Sequence, residues 1–381
     1  MNRLYFDNAA TSWPKAPGLS RAVMDYLDRD CSNPSRSFGR GGDQSGENAY
    51  ELRCRIAGLF HAPSDAVTVF TPSLTQALNI LIAGRYGRDD HLLVTAFEHN
   101  AVMRTLELHH IPYSVLETDG RGNTDYSSVD RLVRWNTRAL VVNAASNVSG
   151  IVTGLAAAGE SAQRHGLDFI LDSAQALPFV SIDFTALGIS AAAFTAHKGL
   201  LGPEGLGGFV TTADFARQTR PLIAGGTGSL SDSLLMPPDA PDRFEAGTQN
   251  SPAIAGMLAV LDWWQEHGKE ALGAEYRNMM LLHDSLAAIE GIRIVGDWEP
   301  ERHCCLFSVT TDRMDLAQLS YELERRTGLE ARVGLHCAPM AHKALGTWPE
   351  GTLRLSPGVF TRQEEIETLC GALEEVLDET L

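Results

Sequence analysis

From about residue 66 to residue 210, short apolar segments rich in β-branched residues alternate with segments of helical periodicity. Strands are predicted at "AVTVF", "HLLVTAF", "YSVLE", "ALVVNAA", "DFILD", "AAAFTA" and "GGFVTT". Helices are predicted between them, at "SLTQALNILIAGR", "NAVMRTLELHH" and "LAAAGESAQRHG", and the last of these closes on a glycine, a frequent helix terminator. Such alternation builds βαβ units, so we predict an α/β protein whose mostly parallel sheet has helices on both faces.

The chain changes character beyond this alternating region. Residues 221–250 are rich in Gly, Ser, Pro and Asp and lack periodicity, which predicts a long functional loop. A helix is predicted at about residues 251–290, with a break near Gly268 or Gly273. After it come a strand at "IRIVG", a strand at "CCLFSVTT", a helix at "DLAQLSYELERRTG", a short strand at "TLRLSP" and a closing helix from about Arg362.

These last elements are predicted to form a compact α+β unit, joined to the alternating region by the long helix. A chain of 381 residues is long enough for one large and one smaller domain. We predict a large domain over residues 15–255 and a smaller C-terminal domain that combines residues 1–14 with residues 256–381.

Charge and composition exclude several classes of partner. The 31 Lys and Arg residues against 48 Asp and Glu residues give a formal charge of −17, which repels nucleic acid and anionic membranes. The N-terminus lacks a signal-peptide core, and no segment has the roughly 20 apolar residues needed to span a bilayer. Six scattered cysteines suit reduced thiols rather than a disulfide framework. We expect a soluble, cytoplasmic protein.

Polar residues follow the predicted strands, where ligands of parallel sheets bind. Ser73 and Thr75 come at a helix start, where hydroxyl and N–H groups can hold a phosphate, although an ordinary helix N-cap explains them as well. His99, in "EHN", is placed to stack on a planar ring or donate a hydrogen bond. A structural histidine explains it equally well.

The next strand ends carry an amide, a carboxylate and an amine. Asn147, in "SNVSG", suits a ligand contact or an ordinary turn. Asp172 closes "DFILD" and Gln175 follows it; the carboxylate suits a protonated ring nitrogen or an N-cap. Lys198, beside His197 and a Gly-rich turn, suits a Schiff-base lysine, because partial burial lowers the pKa of an amine. An isolated lysine would more often be a solvated charge.

Each of these signals is weak alone, but together they make a coherent set. They supply a phosphate-binding helix start, a ring-stacking group, a partner for a ring nitrogen and a Schiff-base lysine at one edge of the sheet. That set is what pyridoxal phosphate requires, and the sequence therefore predicts this cofactor.

The same residues lie in motifs that resemble a known family. The motifs are "FDNAAT" (6–11), "EHN" (98–100), "SNVSG" (146–150), "DSAQ" (172–175), "TAHKGLLGP" (195–203), "RVGLHCAP" (332–339) and "TLRLSPGVF" (352–360). Their order resembles the class V aminotransferase-fold enzymes, specifically cysteine desulfurases and selenocysteine lyases. The resemblance spans essentially the whole chain and implies a pyridoxal-phosphate-dependent transferase of fold type I.

The resemblance implies a role for each matched residue around the cofactor. Lys198 would form the Schiff base, Asp172 would face the pyridine nitrogen, and His99 would stack on the ring. Asn147 and Gln175 would lie near the ring hydroxyl or the substrate. The full implied cofactor-binding set is Ser73, Thr75, His99, Asn147, Asp172, Gln175, Thr195, His197, Lys198 and Thr227.

The resemblance also implies substrate-binding residues and a partner subunit. Arg354 matches the arginine that holds the substrate carboxylate with its bidentate fork. A hydroxyl of the partner's Gly-rich loop would reach the phosphate, from Thr227 or Ser229, so a homodimer is implied. The implied substrate-binding set is Asn8, Ala9, Asn147, Arg332 and Arg354. Leu74 and Leu335 depart from the commonest family pattern and indicate a divergent subfamily.

Cys337 is the matched thiol, in the segment "RVGLHCAPMAHKALG" (332–346), which reads as a loop. The resemblance predicts that its thiolate attacks the sulfur of L-cysteine, which leaves a persulfide on the enzyme and L-alanine as product. Arg332 or a protonated His336 would favour the thiolate. A protein sulfur acceptor is a possible further partner.

Three alternatives stay open at this point. The first is selenocysteine lyase, or another pyridoxal-phosphate lyase, epimerase or aminotransferase on the same scaffold. The second is a metal-binding or redox protein built on "HCC" (303–305) and "HC" (336–337), which is disfavoured because Cys304 and Cys305 are adjacent on a predicted strand and would point to opposite faces. No metal is predicted. The third is a cofactor-binding scaffold that has lost catalysis.

Overall fold

The structure is a computed structural model that describes residues 3–31 and 40–379. Within them the strands are β1 (Leu4–Tyr5), β2 (Val67–Thr71), β3 (His91–Val94), β4 (Tyr113–Val115), β5 (Thr137–Asn143), β6 (Asp168–Asp172), β7 (Ala191–Thr195), β8 (Gly207–Thr211), β9 (Arg293–Ile294), β10 (Phe307–Thr310), β11 (Leu329–Glu330), β12 (Arg332–Gly334) and β13 (Thr352–Leu355). The α-helices are α1 (Leu19–Asp25), α2 (Arg40–Leu59), α3 (Leu74–Ala83), α4 (Asn100–His109), α5 (Val129–Leu132), α6 (Leu155–Arg164), α7 (Ala213–Gln218), α8 (Ser251–Ala288), α9 (Leu316–Thr327), α10 (Pro339–Ala344) and α11 (Gln363–Asp378).

A seven-stranded sheet with the order β2-β8-β7-β6-β5-β3-β4 forms the centre of the fold. The five strands from β7 to β4 pair in parallel, and β8 runs antiparallel to both of its neighbours. Each of the seven predicted strands coincides with one of these strands. The predicted α/β class with a mostly parallel sheet is confirmed.

The sheet is covered on both faces, as parallel sheets require. Two separate clusters of buried apolar side chains lie against it, one containing Leu140 and Phe169 and the other containing Val141 and Ile170. Neighbouring strand residues therefore alternate between the two faces, because successive strand side chains point to opposite sides. Helices α3 and α4 contribute to the second cluster, and part of α8 contributes to the first.

The parallel register brings the ends of neighbouring strands together. Asn143 pairs with Asp172, and Asp172 pairs with Ala193 on the next strand. At the same edge β8 lies close to the start of α3, and a Cβ atom on Gly207 would stand 2.9 Å from the Leu74 nitrogen. Glycine at this position therefore allows the N-terminus of α3 to reach the carboxyl edge of the sheet.

Helix α8 is continuous over 38 residues, so the predicted break near Gly268 or Gly273 is wrong. A glycine inside a helix costs about 1 kcal/mol relative to alanine but does not itself change the helical path. Neither glycine has a positive φ. Helix α8 packs against α1, α2 and α11, and these contacts favour an uninterrupted helix.

A second, antiparallel sheet with the order β12-β13-β10-β9 follows α8 along the chain. It shares an apolar cluster with α9, α11 and the second half of α8. Strand β1 pairs in parallel with β11, which brings Leu4 and Phe6 into this cluster. Residues 221–250 contain no helix or strand, as predicted. Within the described part of the chain, no helix is long and apolar enough to cross a membrane.

Candidate active site

A cavity of about 280 Å³ opens at the carboxyl edge of the main sheet, next to β12 and β13. Of the predicted site residues, all except Asn8 and Thr227 line it. Its lining consists of Ala9, Ala10, Ser73, Leu74, Thr75, His99, Asn143, Ala145, Asn147, Asp172, Ala174, Gln175, Thr195, His197, Lys198, Arg332, His336, Cys337 and Arg354. Residues that are hundreds of positions apart in the sequence therefore meet in one place.

Lys198 and Asp172 are the charged residues that follow β7 and close β6. Burial lowers the pKa of the Lys198 amine to about 8, and Asp172 opposes that shift. Burial raises the pKa of Asp172, while the Ala174 N–H and Lys198 oppose the rise. The Ala174 N–H donates to Asp172 Oδ1 over 2.9 Å. The Lys198 amine makes no hydrogen bond or ion pair with any residue that the structure describes, so it is available for chemistry.

His99 is the N-cap of α4 and points a neutral ring at the cavity. The Ala101 N–H donates to His99 Nδ1 over 3.0 Å, which makes Nε2 the protonated nitrogen of the neutral ring. Burial, with further contributions from Lys198, Arg104 and Arg354, lowers the pKa of His99 to about 4. The capping interaction thus fixes both the position of the ring and its tautomer.

The start of α3 supplies free backbone N–H groups and hydroxyls. Ser73 caps the helix by accepting a hydrogen bond from the Gln76 N–H over 3.2 Å, so the ordinary N-cap interpretation holds for its hydroxyl. Thr75 is exposed at the cavity. Thr195 is buried at the end of β7, and His197 Nδ1 lies 3.1 Å from Thr11 Oγ1. Burial lowers the pKa of His197 to about 4.

Asn147 and Gln175 have side-chain amides that are anchored by backbone carbonyl groups. Asn147 Nδ2 donates to the His336 carbonyl over 2.6 Å, and Gln175 Nε2 donates to the Ala9 carbonyl over 2.9 Å. Their amide oxygens remain acceptors at the cavity wall. Ala9, a predicted substrate-binding residue, thus holds the Gln175 side chain in place through its main-chain carbonyl group.

Arg354, on β13, is almost completely buried at 2% exposure, and burial lowers its pKa. It donates from Nη1 to the Asn147 carbonyl over 3.1 Å and from Nη2 to Asp7 Oδ1 over 2.7 Å. Its Nε has no hydrogen-bond partner among the described residues. Arg332, half-exposed on β12, lies 3.2 Å from the other oxygen of Asp7.

Cys337 is exposed and lies in a tight turn rather than in a long loop. The segment predicted as a loop consists of β12, a turn and α10. Both His336 and Cys337 have positive φ angles, of 47° and 56°. The Asn100 N–H donates to the Cys337 carbonyl over 2.7 Å. This backbone contact, together with that from Asn147, holds the thiol at the cavity wall.

The expectation that a protonated His336 favours the Cys337 thiolate is wrong. Burial and the neighbouring Arg354 guanidinium lower the pKa of His336 to about 2, so its ring is neutral near pH 7. Its Nε2 lies 2.9 Å from Thr352 Oγ1. The cationic residues that line the same cavity as the thiol are Lys198, Arg332 and Arg354.

Two predicted site residues lie outside the cavity. Asn8 Nδ2 donates to the Ser356 carbonyl over 3.1 Å, and Asn8 Oδ1 accepts from the Trp13 N–H over 3.0 Å. Its side chain therefore fastens the N-terminal segment to the strand end after β13. Thr227 does not line the cavity of its own chain, and its hydroxyl lies 3.2 Å from Ser229 Oγ.

Sequence reasoning missed residues that support the site from behind. Asp7 pairs with both arginines, although it lies inside the matched motif "FDNAAT". Asn143 lines the cavity, and its position at the end of a predicted strand was an available signal. Glu98 is fully buried below it, accepts from the Asn143 N–H over 2.9 Å, and has its pKa raised to about 8 by burial. No sequence pattern distinguishes such a carboxyl from an exposed one.

The metal-site alternative finds no support in the part of the chain that the structure describes, where no group of three potential ligands occurs. Cys304 and Cys305 precede β10 instead of lying on it. They point into different apolar clusters, and burial raises the pKa of both thiols. They are core residues.

The carboxyl edge of a mostly parallel α/β sheet, with a half-buried lysine and a carboxylate, here faces a buried arginine on the smaller sheet across one cavity. The sequence model of the family described as "Aminotransferase class-V" matches residues 4–369, which is nearly the whole chain. The chain belongs to this family.

Several relatives of this chain are named as cysteine desulfurases. A "Probable cysteine desulfurase" of Methanothermobacter thermautotrophicus is 30% identical over 98% of this chain and 95% of that protein. A "Probable cysteine desulfurase" of Aeropyrum pernix is 30% identical over 98% of this chain and 94% of that protein. The apo structure of the cysteine desulfurase from Thermococcus onnurineus NA1 matches with a TM-score of 0.89 at 26% identity, over 98% of this chain and 94% of that one.

Proposed function

We propose that this protein is a pyridoxal-phosphate-dependent cysteine desulfurase, which converts L-cysteine to L-alanine and transfers the sulfur to Cys337. The observation that carries the proposal is that the Cys337 thiol lines the same cavity as Lys198, Asp172 and Arg354. A lysine and a carboxylate suit the cofactor, an arginine suits an amino-acid carboxylate, and a thiol suits sulfur transfer. The names of the relatives support this assignment.

The residues of the cavity fit the cofactor. The Lys198 amine has no described partner, and the second oxygen of Asp172 is free for a ring N–H. The neutral His99 ring offers a face for stacking. The start of α3, with Thr75, and the residues Thr195 and His197 offer hydrogen bonds for a phosphate. When bound, pyridoxal phosphate would supply an electron sink for the bond that breaks at the substrate Cα.

Lys198 would move the substrate's Cα proton. Its lowered pKa of about 8 makes the neutral amine accessible near neutral pH, as a general base requires. Asp172, next to it, would keep a ring nitrogen protonated by its negative charge. His99 would hold the ring against the sheet and offer its Nε2–H to the reacting groups.

Arg354 would bind the substrate carboxylate. Its buried Nε is a donor without a described partner, and a buried donor is costly until it is paired. A substrate carboxylate that accepts from this guanidinium would satisfy it with a charge-assisted hydrogen bond. Arg332, which stays paired with Asp7, would add positive charge at the same end of the substrate, and the Asn147 amide oxygen would accept a hydrogen bond from a donor of the substrate or the cofactor.

The Cys337 thiolate would then attack the substrate's sulfur. An S–S bond forms, the C–S bond breaks, and the electron pair of the C–S bond stays with the carbon, which takes up protons to become L-alanine. The sulfur remains on Cys337 as a persulfide. Arg354 and Arg332 line the same cavity as Cys337, so they would place positive charge near the attacking sulfur.

A homodimer would complete the phosphate site. Thr227 does not line the cavity of its own chain, so we infer that the hydroxyl of Thr227 or Ser229 reaches the cavity of a partner subunit. The persulfide, on an exposed turn, would pass to a sulfur acceptor such as a thiol-bearing protein.

Incubation of the purified protein with L-cysteine tests the function. We expect L-alanine, and in the presence of a reductant an equal amount of sulfide. A parallel incubation with L-selenocysteine shows which amino acid is preferred. A protein that binds the cofactor yet forms no alanine from either amino acid would contradict the proposed function.

A further inference from the structure

The two arginines of the cavity share a single carboxylate, that of Asp7. Asp7 Oδ1 lies 2.7 Å from Arg354 Nη2, and Asp7 Oδ2 lies 3.2 Å from Arg332 Nη2. The backbone holds the carboxylate there, because Asp7 bridges in parallel to Ser356 just after β13. Each oxygen of Asp7 therefore has its own guanidinium partner.

The pairing of β12 with β13 makes this carboxylate necessary. Arg332 and Arg354 are direct cross-strand partners, so two positive charges stand side by side. Like charges at opposed positions destabilise a sheet, and Arg354 is almost fully buried, which increases the cost. The Asp7 side chain is only 15% exposed, and its negative charge, paired with both guanidinium groups, offsets the repulsion between them.

The charges at this end of the cavity leave room for one anion. Two arginines and one carboxylate have one uncompensated positive charge between them, and the neighbouring His336 ring is neutral. Lys198, the other cation that acts on this group, is assigned to the cofactor in the proposed function. The α-carboxylate of an amino acid cancels that charge. A second carboxylate on the same ligand would find Arg332 already paired and would be repelled by Asp7.

We propose that Asp7 is a specificity-determining residue, which limits the site to amino acids with a single carboxylate by occupying Arg332 and cancelling one positive charge. The inference rests on the proposed function, because it takes the substrate carboxylate to bind at Arg354. Asp7 does not itself line the cavity and acts through the two arginines. Dicarboxylic amino acids are the class that it excludes.

Removal of the Asp7 charge should therefore change which ligands bind. In Asp7→Asn the side chain keeps its size, Arg332 is released toward the cavity that it lines, and two positive charges face the ligand. We expect the affinity for L-aspartate relative to L-alanine to rise on the order of tenfold, equivalent to about 1.4 kcal/mol. The measurement is isothermal titration of the cofactor-loaded protein with each amino acid.

Two further variants separate charge from structural damage. Glu330, on the neighbouring β11, has an exposed carboxylate that pairs with Arg3. Glu330→Gln removes this charge, and it should leave the ratio of the affinities for L-aspartate and L-alanine unchanged. The double variant Asp7→Asn with Arg332→Gln restores one net positive charge, and it should return the ratio to the wild-type preference for L-alanine.

Arg332→Gln alone keeps the inference testable if Asp7→Asn does not fold. In this variant Asp7 neutralises Arg354, so the affinity for L-alanine should fall severalfold; unchanged affinity would contradict the inference. An Asp7→Asn protein with the wild-type ratio would overturn it as well. The binding of L-alanine and L-aspartate is measured without turnover. A wild-type protein that forms no alanine from L-cysteine would therefore contradict the proposed function without changing the outcome of the binding test.

Discussion

Burial sets the charge of most side chains around the cavity. His99, His197 and His336 have pKa values lowered to about 4, about 4 and about 2, so all three rings are neutral near pH 7. The Lys198 amine has its pKa lowered to about 8 by the same cause. A site with neutral histidines has no imidazolium group beside Cys337, and the cationic residues of its cavity are Lys198, Arg332 and Arg354.

The lowered pKa of Lys198 predicts how cofactor attachment depends on pH. Only the neutral amine is nucleophilic, so the rate of pyridoxal phosphate attachment to the cofactor-free protein should rise with pH and level off above about 8. Stopped-flow absorbance measures this rate. A rate that still rises toward 10.5, the ordinary lysine pKa, would show that burial does not act on this amine.

Lys198 and Cys337 should be separable by mutation. Lys198→Ala should lose the absorbance of the attached cofactor and about 100-fold or more of the activity, because it removes the general base. Cys337→Ala should keep that absorbance and lose cysteine-dependent sulfide release. Cys370→Ala is a matched control, because that buried thiol lies in the apolar cluster of the smaller sheet, away from the cavity.

At the level of single residues, the sequence predicts a site residue correctly where its position at the end of a strand determines its role. Lys198 and Asp172 follow or end strands whose apolar pattern is unmistakable, and parallel pairing brings such ends together. Asp7 and Glu98 were missed because their roles come from contacts with distant segments. The neutral state of His336 likewise depends on burial beneath β13, which local sequence does not reveal.

At the level of elements, the alternation of apolar strand segments with helical segments predicts the positions of the strands. Helix breaks and loops are less predictable from the sequence. The helix break near Gly268 or Gly273 was predicted from residue type alone, whereas packing along α8 decides its path. The segment around Cys337 was predicted as a loop because of its Gly and Pro residues. Strand β12 is only three residues long and is formed by pairing with β13, a distant contact that local composition does not reveal.

The continuity of α8 predicts different results for its two central glycines. A Cβ atom at position 273 would have only Arg277 Nη1 as a neighbour, at 3.5 Å, so Gly273→Ala should raise the free energy of unfolding by up to about 1 kcal/mol. At position 268 the Cβ would stand 3.1 Å from a Trp264 ring atom, so Gly268→Ala should gain less. Urea unfolding of both variants measures the difference, and destabilisation by Gly273→Ala would indicate a bend in α8.

At the scale of the whole molecule, the division into two domains stays a proposal. Separate apolar clusters lie against the two sheets, and α8 contributes to both: its residues as far as Ala271 pack with the main sheet, and those from Met279 onward pack with the smaller one. The cavity lies where the two sheets meet, because Lys198 follows the main sheet and Arg354 lies on the smaller one. Relative movement of the two sheets would therefore change the substrate site directly.

The segment 221–250 predicts association into a dimer. It exposes several large apolar side chains, which mark contact surfaces when they cluster: Leu222, Ile223, Leu230, Leu234 and Leu235. Sedimentation should give twice the chain mass of 41.3 kDa. Leu234→Asp combined with Leu235→Asp should shift the mass toward one chain and weaken cofactor retention, while Tyr321→Asp, also exposed, should do neither. A wild-type protein of one chain mass would contradict the shared phosphate site.

The central claim is that the sulfur of L-cysteine is transferred to Cys337. The most direct measurement is mass spectrometry of the peptide that contains Cys337, after the cofactor-loaded protein is mixed with L-cysteine in the absence of a reductant. We expect this peptide to gain the mass of one sulfur atom while an equal amount of L-alanine appears. Formation of alanine without any sulfur on Cys337, or with sulfur on another of the six cysteines, would contradict it.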